Sequence, residues 1–370
     1  MHRMPRALLY CVAAVFATAP LVAAAQAPAK AGAAPAAKGV PAKAPAQPAD
    51  ACSFEALDHD AAIAACGKLI DSKRLRGDKL ALAYSARANA WYAKNDYDRA
   101  LADMNAAIAA RPGKADDLAN RGIYKYMLMD NDGAIADYTA ALHIDPAADT
   151  FANRGNALLA KSEFARALPD FEYAIQFDTQ NASYYLGRGR AQRGVGKYLN
   201  AVRDFESAAK YQPGDLTAIC ERGIAYFYDA DFSDAATDLD KCPKDISYGY
   251  AYVRIWRYIA QARSQGDGSD IRVQLDAKGI IGREWPGPVR SMILGRMKPE
   301  ALIAAATTAP DAKKAKGQDC EARFYIGQYH LIRGEKGPAK QRFTEAKAAC
   351  PADFLELEGA NAELKRIDKK

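Results

Sequence analysis

Histidine is scarce in this chain, with four copies among 370 residues, and three of these lie beyond residue 25, at His59, His143 and His330. A glycine-rich phosphate loop, an HExxH helix and a GxSxG elbow are also missing. Those patterns mark many nucleotide-binding, metalloprotease and serine hydrolase sites. Their absence leaves no readable reaction centre. We therefore expect a protein that is not an enzyme, with no catalytic residues and no cofactor.

Metal-ligand spacing is missing as well. The sequence holds no CxxC pair, and its few histidines lie in different segments. Structural zinc sites need closely spaced cysteine or histidine ligands, so we expect no metal site. Glu284, next to Trp285, is the one acid that burial could turn into a proton donor or acceptor. Because no second carboxylate stands at a readable spacing, we expect Glu284 to be a loop or cap residue.

A strong excess of charge of one sign is absent from most of the chain. The whole sequence carries a net charge of +6. Setting aside two arginines before residue 25 and the charges of residues 26–50 leaves only +2 for residues 51–370. Phosphate binding needs concentrated lysine and arginine, so we expect no nucleic-acid partner. After residue 25 no apolar stretch is long enough to cross a bilayer, and we expect no transmembrane segment in the mature chain.

The first residues follow the order of a secretory signal peptide, which we place at residues 1–25. A basic start at Arg3 and Arg6 precedes an apolar stretch, and small residues at 23–25 form a cleavage site. This order predicts export and a periplasmic mature chain. Cys11 follows a tyrosine rather than the small residue of a lipobox, so a lipid anchor is the less favoured alternative. An uncleaved signal that acts as an anchor is another.

Residues 26–50 consist almost wholly of alanine, proline, lysine, glycine and glutamine. A segment with so few large apolar side chains cannot bury enough surface to offset its ordering entropy. We therefore predict a disordered, partly extended linker that acts as a soluble tether for the following domain. Binding of its lysines to an anionic envelope polymer is the alternative.

A repeat dominates the rest of the chain. Arginine recurs at intervals of 34, 33, 34 and 34 residues, and an aspartate follows sixteen residues after each arginine. A fixed period of about 20 to 50 residues is typical of stacked repeat proteins. Small residues recur at two further positions, a large apolar residue at a third, and proline closes several units. This pattern predicts helix-turn-helix hairpins. The recurring residues are Arg87, Asp103, Arg121, Asp137, Arg154, Asp170, Arg188, Asp204, Arg222 and Asp238.

The order of these residues resembles the tetratricopeptide repeat (TPR). That resemblance implies an all-α fold, a superhelical solenoid of helix-turn-helix hairpins with an irregular helical insert before the last repeat. Five units occupy residues 81–243, and a sixth occupies 320–351, where the pattern residues are Gly327, Ala339, Phe343, Ala346 and Pro351. An unrelated alanine-rich bundle would need the same spacing to recur by chance. We expect capping helices at 51–80 and at 352–370.

The period fails over residues 244–319, which we predict to be an irregular, aromatic-rich helical insert. The insert and the last repeat resemble the carboxy-terminal half of the NlpI family of bacterial lipoproteins, through residues 256–258, Trp285, 298–302 and 324–331. This resemblance implies an adaptor that docks peptidoglycan hydrolases or a tail-specific protease, and a homodimer. The missing lipobox departs from that family.

The recurring arginines and aspartates have two interpretations. Five arginines in a row could bind a polyanion or the carboxylates of a peptide. However, the arginine position normally faces neighbouring helices of the stack, and an aspartate recurs in step with it. We therefore predict structural ion pairs between packed helices.

The cysteines are consistent with export. Six remain after residue 25, an even number that predicts three disulfides in an oxidising compartment. Two pairs would join the adjoining ends of antiparallel helices, and the third would flank a short helical cap. Free or metal-bound thiols are the alternative. The predicted pairs are Cys52–Cys66, Cys220–Cys242 and Cys320–Cys350.

The repeat register also selects the residues that face a partner. In TPR proteins a few positions of each first helix line the concave face, and here they carry amide, aromatic and guanidinium groups. Such groups suit an extended peptide, so we expect an adaptor that binds envelope proteins or peptides. A glycan-binding protein that uses Trp256 and Trp285, and an enzyme with its site in the insert, are the alternatives. The predicted partner-binding residues are Asn89, Tyr92, Ile123, Tyr126, Asn156, Arg190, Arg193, Phe227 and Tyr228.

Overall fold

The computed structural model describes Cys52 and residues 58–243, 250–265, 284–309 and 311–369. The predicted signal peptide and linker lie outside these residues. Within the described ranges the secondary structure consists of helices, and no strand occurs. None of these helices is both long enough and apolar enough to cross a membrane.

The helices follow one another with short connections. They are α1 (His59–Asp71), α2 (Gly77–Ala93), α3 (Tyr97–Ala110), α4 (Ala115–Met127), α5 (Asn131–Ile144), α6 (Ala148–Ala160), α7 (Phe164–Phe177), α8 (Ala182–Gly194), α9 (Tyr198–Tyr211), α10 (Thr217–Asp229), α11 (Phe232–Asp240), α12 (Tyr250–Gln265), α13 (Gly287–Ile293), α14 (Pro299–Thr307), α15 (Ala312–Ile332), α16 (Lys336–Ala349) and α17 (Leu355–Asp368).

Consecutive helices pack as hairpins. Extensive contacts join α2 to α3, α4 to α5, α6 to α7, α10 to α11 and α15 to α16. The prediction of an all-α fold built from TPR-type hairpins is thus confirmed. The sixth hairpin begins earlier than residue 320, because the Asp311 side chain caps α15 by accepting from the Lys314 backbone N–H at 2.7 Å.

The turn inside each hairpin has a recurring construction. A residue with positive φ ends the first helix, and it is Asn95, Met129, Ser162, Gly196, Ala230 or Gly334. In several hairpins an aspartate follows directly and caps the second helix. The Asp130 carboxylate, for example, accepts from the Gly133 backbone N–H at 2.9 Å. The positive φ reverses the chain, and the cap satisfies an end N–H of the next helix.

The chain divides into two compact units, and the boundary falls within α8, after Ala191. The amino-terminal unit comprises the described residues up to Ala191. Its core lies between successive hairpins, where Met104, Tyr138 and Phe171 are fully buried. Gly187 lets α8 approach α7, since a Cβ at that glycine would stand 2.2 Å from the Phe171 ring.

The carboxy-terminal unit comprises the described residues from Gln192 onward. Its core is aromatic and includes Phe227, Trp256, Phe324 and Phe343. The Trp256 ring lies 4.6 Å from Phe227 and 5.4 Å from Phe324, measured between ring centroids. The insert helices α12 and α14 pack against neighbouring hairpins, and α17 packs against α10, α15 and α16.

Candidate functional site

The recurrent arginines bind the recurrent aspartates in the four pairs that lie within one unit. In each pair the arginine Nε and Nη2 donate to the two carboxylate oxygens, at distances between 2.6 and 3.0 Å. The aspartates are buried, and only 3% of the Asp170 side chain is exposed. These hydrogen bonds raise the pKa of Arg87, Arg121 and Arg222. Each pair therefore joins the two helices of one hairpin.

Several of these arginines also reach the preceding hairpin. Arg121 Nη1 donates to Asn105 on α3 at 3.1 Å, and Arg154 Nη1 donates to Thr139 on α5 at 3.2 Å. Arg222 lies 3.8 Å from Glu206 on α9. One guanidinium thus ties three helices together. A planar group with donors on several edges suits this position better than an ammonium would.

The fifth predicted pair joins residues of different units, Arg188 and Asp204, and it remains a prediction. The sixth hairpin carries Ile326 and Arg342 at the two positions. Arg342 donates to Glu345 at 2.8 Å, and Arg323 also donates to Glu345 at 2.8 Å. Cys320 and Cys350 join the ends of this hairpin in a disulfide.

The amino-terminal unit presents the predicted partner-binding residues on the first helices of its hairpins. We call them the groove face, and all are half-buried: Asn89, Tyr92, Ile123, Tyr126, Asn156 and Arg190. Tyr124 holds one of them in place, because its hydroxyl donates to the Asn89 side-chain oxygen at 2.5 Å. With its oxygen engaged, Asn89 offers amide N–H donors.

Aromatic rings surround this amide. The Tyr92 and Tyr124 rings lie 5.5 Å apart, and the Tyr92 and Tyr97 rings lie 5.7 Å apart. Burial raises the pKa of Tyr126, and the nearby charge of Arg190 opposes this rise. The groove face therefore combines a positioned amide, aromatic edges and a guanidinium. This set can hydrogen-bond a peptide backbone and also contact apolar side chains.

In the carboxy-terminal unit the predicted partner-binding residues are covered. Phe227 and Tyr228 are 1% and 2% exposed, and Arg193 is 6% exposed. The expectation that these three residues face a partner is therefore corrected. They lie under α17 or in the aromatic core. The Tyr228 hydroxyl donates to the Leu355 carbonyl at 2.6 Å.

Helix α17 is held on this surface by polar contacts along its length. Arg193 donates to Glu358 at 3.0 Å, and Arg193 also pairs with Glu221. Farther along, Glu363 accepts from Gln328 at 3.0 Å and pairs with Arg263. Gly359 allows close packing, since a Cβ there would stand 2.7 Å from Phe324 and 3.0 Å from Tyr228.

Two buried carboxylates lie at the start of α17 and beneath it. Glu321 accepts from the Tyr252 hydroxyl at 2.8 Å and from Trp285 Nε1 at 2.6 Å. Glu356 accepts from the Tyr325 hydroxyl at 3.1 Å. Burial, and secondly the charge of Glu356, raise the pKa of Glu321 to about 8. Burial raises the pKa of Glu356 to about 7.

Sequence reasoning missed these acids, although signals existed. Glu356 and Glu363 stand seven residues apart, which places them on one face of a helix. Tyr252 and Trp256 stand four apart and present polar tips from one face of α12. A buried tyrosine or tryptophan needs a hydrogen-bond partner, so these aromatics indicated acceptors nearby.

The predicted cysteine pairs are all joined in the structure. Cys52 bonds Cys66 in the amino-terminal unit, and Cys220 bonds Cys242 in the other unit. Among the described residues no group of three or more histidine, cysteine, aspartate or glutamate side chains could hold a metal ion.

Trp256, Trp285 and Glu284, the candidate residues for glycan binding or catalysis, differ in their burial and contacts. Trp256 is 4% exposed and donates to the Tyr325 hydroxyl at 2.9 Å, so it is a core residue. Trp285 is half-buried and engaged by Glu321. Glu284 is exposed in the turn before α13. The alternative of a glycan surface made of both tryptophans is therefore wrong, because Trp256 is buried and cannot contact a glycan.

Comparison with known proteins gives a fold-level likeness. No protein family model matches the sequence, and no curated protein matches it. YrrB, a TPR protein with an unusual peptide-binding site, is 22% identical with a TM-score of 0.41, over 48% of this chain and 89% of that chain. MamA from Desulfovibrio magneticus RS-1 is 20% identical with a TM-score of 0.43, and the match covers 45% of this chain and 94% of that chain.

A longer alignment comes from a tetratricopeptide repeat protein of Parabacteroides merdae. It is 15% identical with a TM-score of 0.45, and the match covers 83% of this chain and 93% of that chain. At such identities the likeness concerns the fold alone, and no partner follows from it.

Proposed function

We propose that this protein is an exported periplasmic adaptor that binds a protein or an extended peptide through the groove face of its amino-terminal unit. The bond from Tyr124 to Asn89 is the observation that carries the proposal. It fixes the amide so that its N–H groups can meet a backbone carbonyl of a partner. A rigid donor loses less entropy on binding than a mobile one, so this arrangement favours affinity.

The rest of the groove face supports the same function. Tyr92 and Tyr126 provide large, stiff contact surfaces, and the Arg190 guanidinium can donate hydrogen bonds to a carboxylate. Four Arg–Asp pairs lie between the two helices of their hairpins and hold the first helices of those hairpins in register. We place the binding site in the amino-terminal unit alone, because Arg193 and Tyr228 are buried in the other unit.

Partner identity is tested by capture followed by direct binding. The chain from residue 26 onward captures envelope proteins, and the captured segment is then synthesised and titrated against purified protein. We expect the quadruple variant of Asn89, Tyr126, Asn156 and Arg190 to alanine to lose at least about tenfold in affinity. A matched control replaces the exposed α7 residues Arg166, Glu172 and Gln176.

The control variant should bind as the wild type does, and circular dichroism should show both variants folded. Equal affinity of the quadruple variant and the wild type would refute the groove-face site. Peptidoglycan hydrolases, a tail-specific protease and a second copy of the chain are the candidates implied by the NlpI resemblance. Each can be titrated individually, and the homodimer can be measured by sedimentation.

Export is a separate part of the proposal. It rests on the signal-like order of residues 1–25 and on three joined cysteine pairs. The full chain and a chain without residues 1–25 are expressed and treated with a thiol-alkylating reagent. We expect the six cysteines of the exported chain to resist alkylation until a reductant is added. Immediate alkylation of these six cysteines in the product of the full chain would contradict export.

A further inference from the structure

The acids that hold α17 differ in how their charge is balanced. Glu358 is bonded to Arg193, and Glu363 is bonded to Arg263 and Arg366. The side-chain donors to Glu321 and Glu356 are hydroxyl and indole groups, Glu356 also accepts from a backbone N–H, and within the described residues neither acid forms a salt bridge. Both are at most 7% exposed. Two adjacent buried carboxylates without a cation are strongly unfavourable when both are charged.

The Glu321–Glu356 pair lies where its charge can affect the docking of α17. Glu356 lies in the first turn of α17, the last described helix, and Glu321 lies on α15 beneath it. The hydroxyl of Tyr325 connects Glu356 to the aromatic core, because Tyr325 in turn accepts from Trp256. Repulsion between the two acids therefore acts at the point where α17 first meets α15.

We propose that α17 is a pH-responsive latch, docked on α10 and α15 while the Glu321–Glu356 pair holds a proton and released when both carboxylates are ionised. Release uncovers an aromatic surface that includes Tyr228 and Phe324, which the Gly359 region now covers. The latch lies in the carboxy-terminal unit, whereas the groove face belongs to the amino-terminal unit.

Other titratable and charged groups face α17 from every helix packed against it. They are Arg193 on α8, Tyr198 on α9, Glu221, Tyr228 and Asp229 on α10, Tyr252 and Arg263 on α12, Tyr325 on α15, Lys340 on α16, and Glu358, Glu363, Arg366 and Asp368 on α17 itself. The guanidinium groups stay charged over the relevant range. Burial raises the pKa of Glu358 too, and Arg193 opposes this rise, so its ionisation acts in the same direction.

The sign of the effect follows from linkage. Both acids have a folded pKa above the usual value for glutamate, so the docked form binds more protons than the released form. Docking is fully favourable below about pH 4.5, the ordinary glutamate range, and is lost as pH rises through 7 and 8. Alkaline conditions therefore release the latch.

The test is hydrogen exchange of the full chain at pH 5.5 and 8.5, with rates corrected for intrinsic base catalysis. We expect protection of α17 amides to fall at least about tenfold relative to α10 and α15. Glu321→Gln and Glu356→Gln keep the hydrogen-bond acceptors but remove the repulsion. Each variant should retain α17 protection at both pH values.

The matched control is Glu300→Gln, an exposed acid on α14 of the same unit, and it should behave as the wild type. The latch is overturned by constant α17 protection in the wild type, or by unchanged pH dependence in both glutamine variants. Equal loss of protection in α10, α15 and α17 would also overturn it, because the whole unit would then be opening. If one glutamine variant does not fold, the other still decides the question.

Discussion

The Tyr124 hydroxyl lies 2.5 Å from the side-chain oxygen of Asn89, and this bond joins α4 of one hairpin to α2 of the preceding one. Burial raises the pKa of Tyr124 above its usual value, so the hydroxyl remains a donor at every physiological pH. This hydrogen bond therefore has two effects, one on stability and one on the position of the Asn89 side chain. Asn89 gains a fixed orientation, and the two hairpins gain a contact.

Replacing Tyr124 with phenylalanine separates these two parts. The ring still packs, so we expect a loss of only about 1 kcal/mol in the free energy of unfolding. Partner affinity should fall about as much as in Asn89→Ala, because the amide is no longer held. Urea denaturation and peptide titration measure the two effects. Undiminished affinity of Tyr124→Phe would show that Asn89 needs no positioning.

Arg154 and Asp170 form the repeat ion pair with the most buried aspartate, since 3% of the Asp170 side chain is exposed. Removing one partner leaves the other charged and poorly hydrated, so we expect Asp170→Asn or Arg154→Met to cost about 2–4 kcal/mol. The double variant should cost much less than the sum of the two. A double-mutant cycle measures the coupling.

The exposed pair Arg166–Glu163 on α7 provides the matched control, and its coupling should be below about 1 kcal/mol. Additive effects at Arg154 and Asp170 would show that the observed bidentate bonds contribute no specific stability.

Gly187 lies against Phe171, and a Cβ there would approach the ring to 2.2 Å. We expect Gly187→Ala to destabilise the amino-terminal unit by about 1–3 kcal/mol, because the aromatic ring is locked in the core. Gly67→Ala on α1 is the control, since the nearest atom to its Cβ would be 3.6 Å away. That helical substitution should be neutral or stabilising. Thermal denaturation of both variants makes the comparison.

The hairpins could be predicted from sequence because their determinants are local and repeated. An arginine and an aspartate stand sixteen residues apart in each of the first five repeats, as Arg154 and Asp170 do. Gly155 lies against the Phe171 ring, which marks the close approach of two helices. A helical period fixes which faces meet, so the register and the ion pairs follow together. The cysteine pairs depend on the same geometry.

The covering of the carboxy-terminal unit could not be predicted in this way. The Tyr228 hydroxyl bonds the Leu355 carbonyl across 127 residues of sequence, and the aperiodic insert lies between them. The repeat register predicts which side of a helix faces the groove. It does not predict that a later helix occupies that groove. For Asn89, which is half-buried, the same register still predicts a position on the groove face.

The buried acids predict a pH dependence of global stability. Because the pKa values of Glu321 and Glu356 are raised to about 8 and about 7, the stability that these two acids contribute is fully present below about pH 4.5 and is lost as pH rises through 7 and 8. Glu321→Gln should stabilise the carboxy-terminal unit by about 1–3 kcal/mol at pH 8.5 and have little effect at pH 4.5. Guanidinium titrations at the two pH values measure the difference. An equal effect at both would mean that Glu321 is not protonated in the folded protein.

The disulfide between Cys320 and Cys350 closes a loop with a sequence separation of 30 residues. In the chain-entropy description such a loop contributes about 3–4 kcal/mol by restricting the unfolded chain. We expect the Cys320→Ala, Cys350→Ala double variant to lose about that much stability in the carboxy-terminal unit. Alanine is preferred to serine because Cys320 is fully buried, and a hydroxyl there would lack a partner.

Tryptophan positions allow the two units to be observed separately. Trp91 lies in the amino-terminal unit, whereas Trp256 and Trp285 lie in the other. In a Trp91→Phe background, fluorescence reports only on the carboxy-terminal unit, and the double cysteine variant should unfold at lower guanidinium concentration. Removing Cys52 and Cys66 instead should leave this transition unchanged, because that disulfide closes a loop in the other unit. A shift of the same transition by both variants would mean that the units unfold as one cooperative body.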